Sequence, residues 1–251
     1  MTTQEQQDLK QQCKQDILTA LGSNTYRERV LAIDQRLLDY MMACADLTDD
    51  YANLYELLAV RKFLRMLTTY PFNLERVHKI YRAYEHLKFS GMQGRTNYRL
   101  TPMQTFQLAA PFGFMRSEQD YRRVCTEANY FVPRKSSKTT LAAFFNFWFF
   151  FFEDYNAECY CTANSADQSK ILFRLTTDLI KQMDPTGKDI RFTATEITWY
   201  DHNIRESKIC ALSAGGKTKD GLFAQLCTAD EYGSAGYVKD HSDMANLVGV
   251  V

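Results

Sequence analysis

The residues with the clearest chemical potential form the run Pro133-Arg134-Lys135-Ser136-Ser137-Lys138-Thr139-Thr140. A stretch able to form a strand, Asn129 to Val132, precedes it. A long apolar stretch, Leu141 to Phe152, follows. Strand, basic polar loop, Lys-Thr and helix is the layout of a phosphate-binding P-loop. There the backbone N–H groups and the helix N-terminus wrap a β-phosphate. The lysine reaches the β- and γ-oxygens, and the threonine hydroxyl enters a Mg²⁺ shell. On this reading all eight residues line ATP, with Lys138 on the phosphates and Thr139 on the metal. Aligned on Lys138, the pattern G-x-x-x-x-G-K-[ST] puts Val132 at its first glycine and Ser137 at its second. The match is imperfect at both. If the second position needs positive φ, a side chain there costs of order 1 kcal/mol.

A second informative stretch is Leu222 to Glu231, an apolar strand ending in Asp230-Glu231. Neighbouring side chains on a strand diverge. One carboxylate can hold the Mg²⁺ shell while the next faces an attacking water, the two acidic roles of a hydrolysing P-loop enzyme. The competing reading is an ordinary strand followed by a solvated acidic turn. Gln104 is a third candidate. Its amide offers both a donor and an acceptor, which suits the N6/N7 edge of adenine. Gly215-Gly216-Lys217-Thr218 resembles a second P-loop fragment, but no apolar helix follows it.

Several elements must position these groups. Residues 1 to about 70 read as helices: Glu5 to Leu21, Tyr26 to Ala45, and a third capped by Asp49 or Asp50. Leu74 to Phe89 is a fourth, ended by Gly91 and Gly94. Thr101-Pro102 caps a helix that carries Gln104 in its first turn. Ser117 to Cys125 reads as a polar helix. Ala157 to Ala163 is a strand, and Asn164 to Asp167 caps a helix to about Met183. Arg191 to Trp199 and Lys208 to Ser213 read as strands able to pair antiparallel. Alternating strands and helices imply an α/β fold with a mainly parallel sheet and ligands at the strand C-termini. The expected division is a helical region over 1–95 and an ATPase domain over 96–251.

The bulk numbers fit such a chain. Its 251 residues are 45% apolar, enough for a sizeable core. Thirty basic residues balance thirty acidic ones, which argues against a protein that simply coats nucleic acid. Arg116, Arg122, Arg123, Arg134 and Lys135 give local positive character. The polar N-terminus has no signal-peptide core. Seven cysteines without a C-x-x-C pair read as buried thiols of a reducing cytoplasm. The Phe-rich run spans about 12 residues and contains Asn146, whereas a bilayer span needs about 20.

Taken together and in order, these pieces resemble the ATPase half of the large terminase subunit of tailed bacteriophages. The similar segments are Leu100-Thr-Pro-Met-Gln104, Phe112-Gly113, Pro133 to Ala143, Ala157 to Thr162, Ala166 to Lys170, Lys219 to Leu222 and Asp230-Glu231. About the first 70 residues are not covered. The resemblance implies a P-loop NTPase three-layer sandwich that hydrolyses ATP with Mg²⁺ to drive double-stranded DNA into a prohead. It implies that Gln104 reads adenine, Thr139 and Asp230 share Mg²⁺, Glu231 activates the water, and Arg134 senses the γ-phosphate. Portal protein, the small terminase subunit and a homo-oligomeric ring are the implied partners, in the cytoplasm of the host of a phage or prophage. The family carries a nuclease domain beyond the point where this chain stops, so a fragment or split gene product is expected. Two other functions compete: a helicase-type nucleic-acid-dependent P-loop ATPase, and a non-catalytic remnant acting through protein interactions.

Overall fold

The computed structural model describes residues 2–91, 94–132, 136–153, 156–163, 166–201, 205–212 and 224–230. They fall into two compact units. One is Met1–Glu85 with Arg99–Ala128; the other is His86–Tyr98 with Asn129–Val251.

The first unit is helical: α1 (Thr3–Gly22), α2 (Asn24–Ile33), α3 (Gln35–Cys44), α4 (Leu54–Thr69), α5 (Leu74–His86) and α6 (Pro102–Gly113). The expected helix over 26–45 is two helices, because Asp34 takes extended backbone (φ −170°, ψ 140°) and caps α3 with its carboxylate. The cap of α4 is Asn53 rather than Asp49 or Asp50. Asn53 accepts from the amide of Glu56, which returns the bond to the amide of Asn53, a reciprocal capping box. The main-chain oxygens of Asp46 and Asp49 instead receive the buried Lys14 ammonium, each at 2.6 Å. The expected helix over 117–125 is absent. Ser117 Oγ accepts from the Asp120 amide, and the Asp120 carboxylate accepts from the backbone and guanidinium of Arg122. Such local side-chain bonds offer the backbone an alternative to a helix. Arg122 is therefore paired within the unit, and the Arg123 guanidinium lies over the Phe112 ring at 5.5 Å.

Two clusters hold this unit. Phe63 packs its ring against Phe72, Phe106 and Phe114, with centroids 5.0 to 6.0 Å apart. Gly113 sits where a Cβ would lie 2.1 Å from the Phe72 ring, so its glycine is required by close approach. The second cluster is polar. Arg36 donates to both oxygens of Asp34, to Glu85 at 2.5 Å and to the Leu100 carbonyl, and Glu85 also accepts from the Leu100 amide. Burial pushes the Asp34 carboxyl up, but the Arg36 hydrogen bonds and charge outweigh it and hold the group below its usual range.

The second unit contains β1 (Lys88–Gly91), β2 (Gly94–Asn97), α7 (Lys138–Trp148), β3 (Glu158–Ala163), α8 (Ala166–Ile180), β4 (Ile190–Phe192), β5 (Glu196–Asp201), β6 (Arg205–Leu212) and β7 (Leu226–Asp230). The fourth expected helix thus stops at His86, and β1 pairs with β2 as a hairpin. A π-helical turn, Phe149–Glu153, extends α7. The main sheet has the order β4-β5-β6-β3-β7. It is mixed rather than mainly parallel. Strand β3 runs parallel to β6 and β7, while β5 runs antiparallel to β4 and β6. Only residues 202–204 separate β5 from β6, too few for the crossover that a parallel pair needs. Asn146 of α7 and Thr176 of α8 both reach the thiol of Cys161, so both helices lie on one face of the sheet.

No strand forms over Asn129 to Val132. Tyr130 sets its ring at a 37° tilt to that of Phe145 of α7, centroids 5.8 Å apart, while Phe131 is 92% exposed. Burial alternates along the run, with Tyr130 and Val132 half-buried, but none of the described strands pairs with it. No helix among the described residues is long and apolar enough to cross a membrane.

Two consequences can be measured in the helical unit. Gly113→Ala should destabilise it by about 2 kcal/mol through overpacking against Phe72, read as a lower urea midpoint. The depressed Asp34 carboxyl contributes stability that is present above its unfolded value near pH 4 and is lost as pH falls through its folded value. The unit's stability should therefore fall as pH drops below about 4. That slope should flatten in Arg36→Met, which at neutral pH should cost about 1–2 kcal/mol after screening.

Candidate phosphate-binding site

The site begins with backbone. Ser137 precedes α7 with φ 61° and ψ 24°, the left-handed region. A residue with a Cβ pays roughly 1–2 kcal/mol there, which is the departure from glycine that the sequence raised. Its carbonyl accepts from the Leu141 amide at 2.9 Å, closing the first turn. Unlike Thr2, Asn53 and Thr101, the Ser137 side chain makes no cap hydrogen bond. Lys138, Thr139 and Thr140 form the first turn of α7, where N–H groups have no intrahelical acceptor and the positive end of the helix dipole lies. Ser136, Lys138, Thr139 and Thr140 are half-buried, and Ser137 is exposed.

The Thr139 hydroxyl donates to Asp230 Oδ2 at 2.8 Å. Asp230 is the last residue of β7 and pairs in register with Ala163, the last residue of β3. The start of α7 thus meets the carboxyl edge of the parallel strands, the edge at which open α/β sheets bind ligands. A hydroxyl and a carboxylate are hard oxygen donors. Two protein oxygens suit Mg²⁺, which fills its remaining positions with water and phosphate oxygens. Among the described residues no group of three or more His, Cys, Asp or Glu side chains could hold a metal on its own.

One layer deeper, Asn146 of α7 is fully buried. Its Nδ2 lies 3.0 Å from Thr228 Oγ1, 3.3 Å from Cys161 Sγ and 3.2 Å from the Ala142 carbonyl. Burial drives the Cys161 thiol up to about 12, so it stays neutral and acts as a packing group. Sequence reasoning did not assign Asn146 or Thr228 a role at the site. The only signal was an amide in the middle of a phenylalanine run.

The other predicted residues divide into two sets. Gln104 is buried in the first turn of α6, and its Oε1 accepts from the Thr101 amide at 3.0 Å and the Thr101 hydroxyl at 3.2 Å. Its acceptor is thus committed to capping its own helix, leaving the Nε2 donors for any recognition. Pro133, Arg134, Lys135 and Glu231 lie outside the described residues, as do Gly215 to Thr218.

Against this geometry, residues 102–244 match the family model described as terminase large subunit, ATPase domain. That is more than half of the 251 residues. The chain belongs to this family. The terminase match starts at the first residue of α6 and takes in the loop, α7, the whole main sheet and Asp230. The resemblance read from the ordered motifs is thereby borne out. No curated protein and no solved structure matches the chain.

Because Ser137 already occupies the left-handed region, Ser137→Gly should change stability by less than about 1 kcal/mol, relief of strain being offset by unfolded-state entropy. Ser137→Val, β-branched in the same conformation, should cost more than about 1–2 kcal/mol. Thermal melts of the three proteins check the order Gly ≈ Ser > Val.

Proposed function

We propose that the chain is an ATP-hydrolysing motor domain that packages double-stranded DNA. The observation that carries the reading is the hydrogen bond between Thr139 and Asp230, which joins the phosphate-loop helix to the acidic strand end. In this reading the fold is a P-loop NTPase, and the N–H groups at the start of α7 hold phosphate oxygens. Lys138 neutralises charge on the β- and γ-phosphates, and the Thr139 hydroxyl and Asp230 carboxylate hold Mg²⁺. The ion, when bound, offsets the charge that builds on the transferring phosphoryl group. Glu231, next in the chain after Asp230, orients and deprotonates the attacking water as general base. Arg134 and its neighbours Pro133, Lys135, Ser136 and Ser137 complete the loop around the phosphates. Gln104 belongs to the other unit and caps its own helix, and the phosphate chemistry proposed here does not require it.

The coupling to DNA, the portal protein and the small terminase subunit, in a ring acting in the host cytoplasm, is the part of the proposal that family membership supports. Its support is the breadth of the match rather than a basic surface. Of the arginines that precede the loop in sequence, Arg122 and Arg123 are engaged within their own unit.

Mg-ATP should raise the melting temperature of the chain, by the mass-action stabilisation that a ligand of the folded state provides. Lys138→Ala should abolish the rise, and Thr139→Val should remove its Mg²⁺-dependent part. Glu231→Gln should keep binding but lower turnover about 10²–10⁴-fold. A melt unmoved by millimolar Mg-ATP, together with turnover equal in wild type, Lys138→Ala and Glu231→Gln, would overturn the proposal.

A further inference from the structure

Helix α7 and strand β7 meet at two polar rungs. The outer rung is Thr139–Asp230, at 2.8 Å. The inner rung is Asn146–Thr228, at 3.0 Å. Asn146 follows Thr139 by seven residues, close to two full helical turns, so both project from one side of α7. Thr228 precedes Asp230 by two residues, so both project from one face of β7. The inner rung is also fastened to the central strand β3, through Cys161 Sγ at 3.3 Å from Asn146 and the Tyr160 carbonyl at 3.3 Å from Thr228 Oγ1.

This rung is an unusual choice for its surroundings. Asn146 is fully buried among Phe144, Phe145, Phe147 and Trp148, also buried. An amide in such a place is costly unless every polar group is matched. An apolar residue would pack there without that requirement. What the amide adds is direction. Apolar contacts resist sliding of a helix along a sheet only weakly, whereas a hydrogen-bonded pair fixes one alignment.

We infer that Asn146 and Thr228 are positioning residues. They set the register of α7 on β7 so that Thr139 and Asp230 stay opposite each other. The purpose of that alignment rests on the ATPase reading. When the hydroxyl and carboxylate of the outer rung turn towards a metal ion, the inner rung holds the helix and strand in place without their direct bond.

The variant Asn146→Leu/Thr228→Val replaces both inner partners with apolar groups of similar shape and leaves neither one orphaned. Two measurements on the full chain test the proposal. The first needs no nucleotide. A double-mutant cycle between Thr139→Val and Asp230→Asn is run by urea unfolding in the native and variant backgrounds. The coupling should be about tenfold in the folding constant in the native background and near onefold in the variant. Equal coupling in both would overturn the inference.

The second measurement is a Mg²⁺ titration with a fluorescent ATP analogue. The variant should keep its metal-free nucleotide affinity within about twofold while its Mg²⁺ midpoint rises about tenfold. An unchanged midpoint in a variant that binds nucleotide would also overturn it. If the native chain binds no nucleotide, the ATPase reading fails and the cycle alone decides the register proposal. Thr228→Val alone serves if the double variant does not fold. Thr228→Ser, which keeps the hydroxyl, should behave as wild type in both measurements.

Discussion

The hydrogen bond between Thr139 and Asp230 joins residues 91 positions apart. It forms only if the sheet has assembled in one order, with β7 beside β3 and both ending level. It also requires α7 to lie along that sheet with its first turn at the strand ends. The Phe-rich face of α7 supplies the affinity for the sheet, since Leu141, Phe144, Phe145, Phe147 and Trp148 are all buried. Burial of this kind drives association but is nearly indifferent to exact placement. Placement comes from the few polar groups within the apolar contact, which is why a helix so rich in phenylalanine carries threonine and asparagine on its sheet-facing side.

The turn before the helix illustrates the opposing force. A serine in the left-handed region is strained, and strain of this size persists only where surrounding structure over-determines it. Here the surroundings are the first turn of α7, closed by the Ser137 carbonyl, and the Thr139–Asp230 pair immediately beyond. Local backbone cost is offset by non-local pairing. That balance is what a site needs if its loop is to keep one shape before any ligand arrives.

Reading the sequence recovered the parts of this arrangement that are encoded locally. Thr101, Pro102 and Gln104 form a cap whose start was legible to the residue, because N-cap chemistry is a short-range rule. Strands β3 and β7, and the helices that follow the loop and β3, were legible from apolar runs. The meeting of the loop with an acidic strand end was legible as chemistry, since phosphate and metal demand those residue types together. What escaped was set by partners distant in sequence. The run Asn129 to Val132 has strand composition and half-buries Tyr130 and Val132, yet it pairs with none of the described strands. Ser117 to Cys125 has helical spacing, yet the serine and aspartate hydroxyl and carboxylate bonds divert its backbone. The antiparallel pairing of the strands on either side of residues 202–204 was legible, and only its weight in making the whole sheet mixed was not. Asn146 read only as a reason against a membrane span, because its partner Thr228 lies 82 residues further along the chain.

The β1–β2 hairpin has a consequence for how the polypeptide is made. Residues 86–98 belong to the sheet-bearing unit, yet they are flanked on both sides by residues of the helical unit. The backbone therefore passes from one unit to the other three times. During synthesis the first five helices emerge without α6 and the segment after it, and these supply the Phe106 and Phe114 rings that surround Phe63. The helical bundle cannot close its aromatic centre until residue 114 has emerged, after the hairpin, which itself packs against α8 (Ala166–Ile180), a helix made later still. The two units are thus interleaved in time as well as in sequence, and neither can be completed first as an uninterrupted stretch of chain.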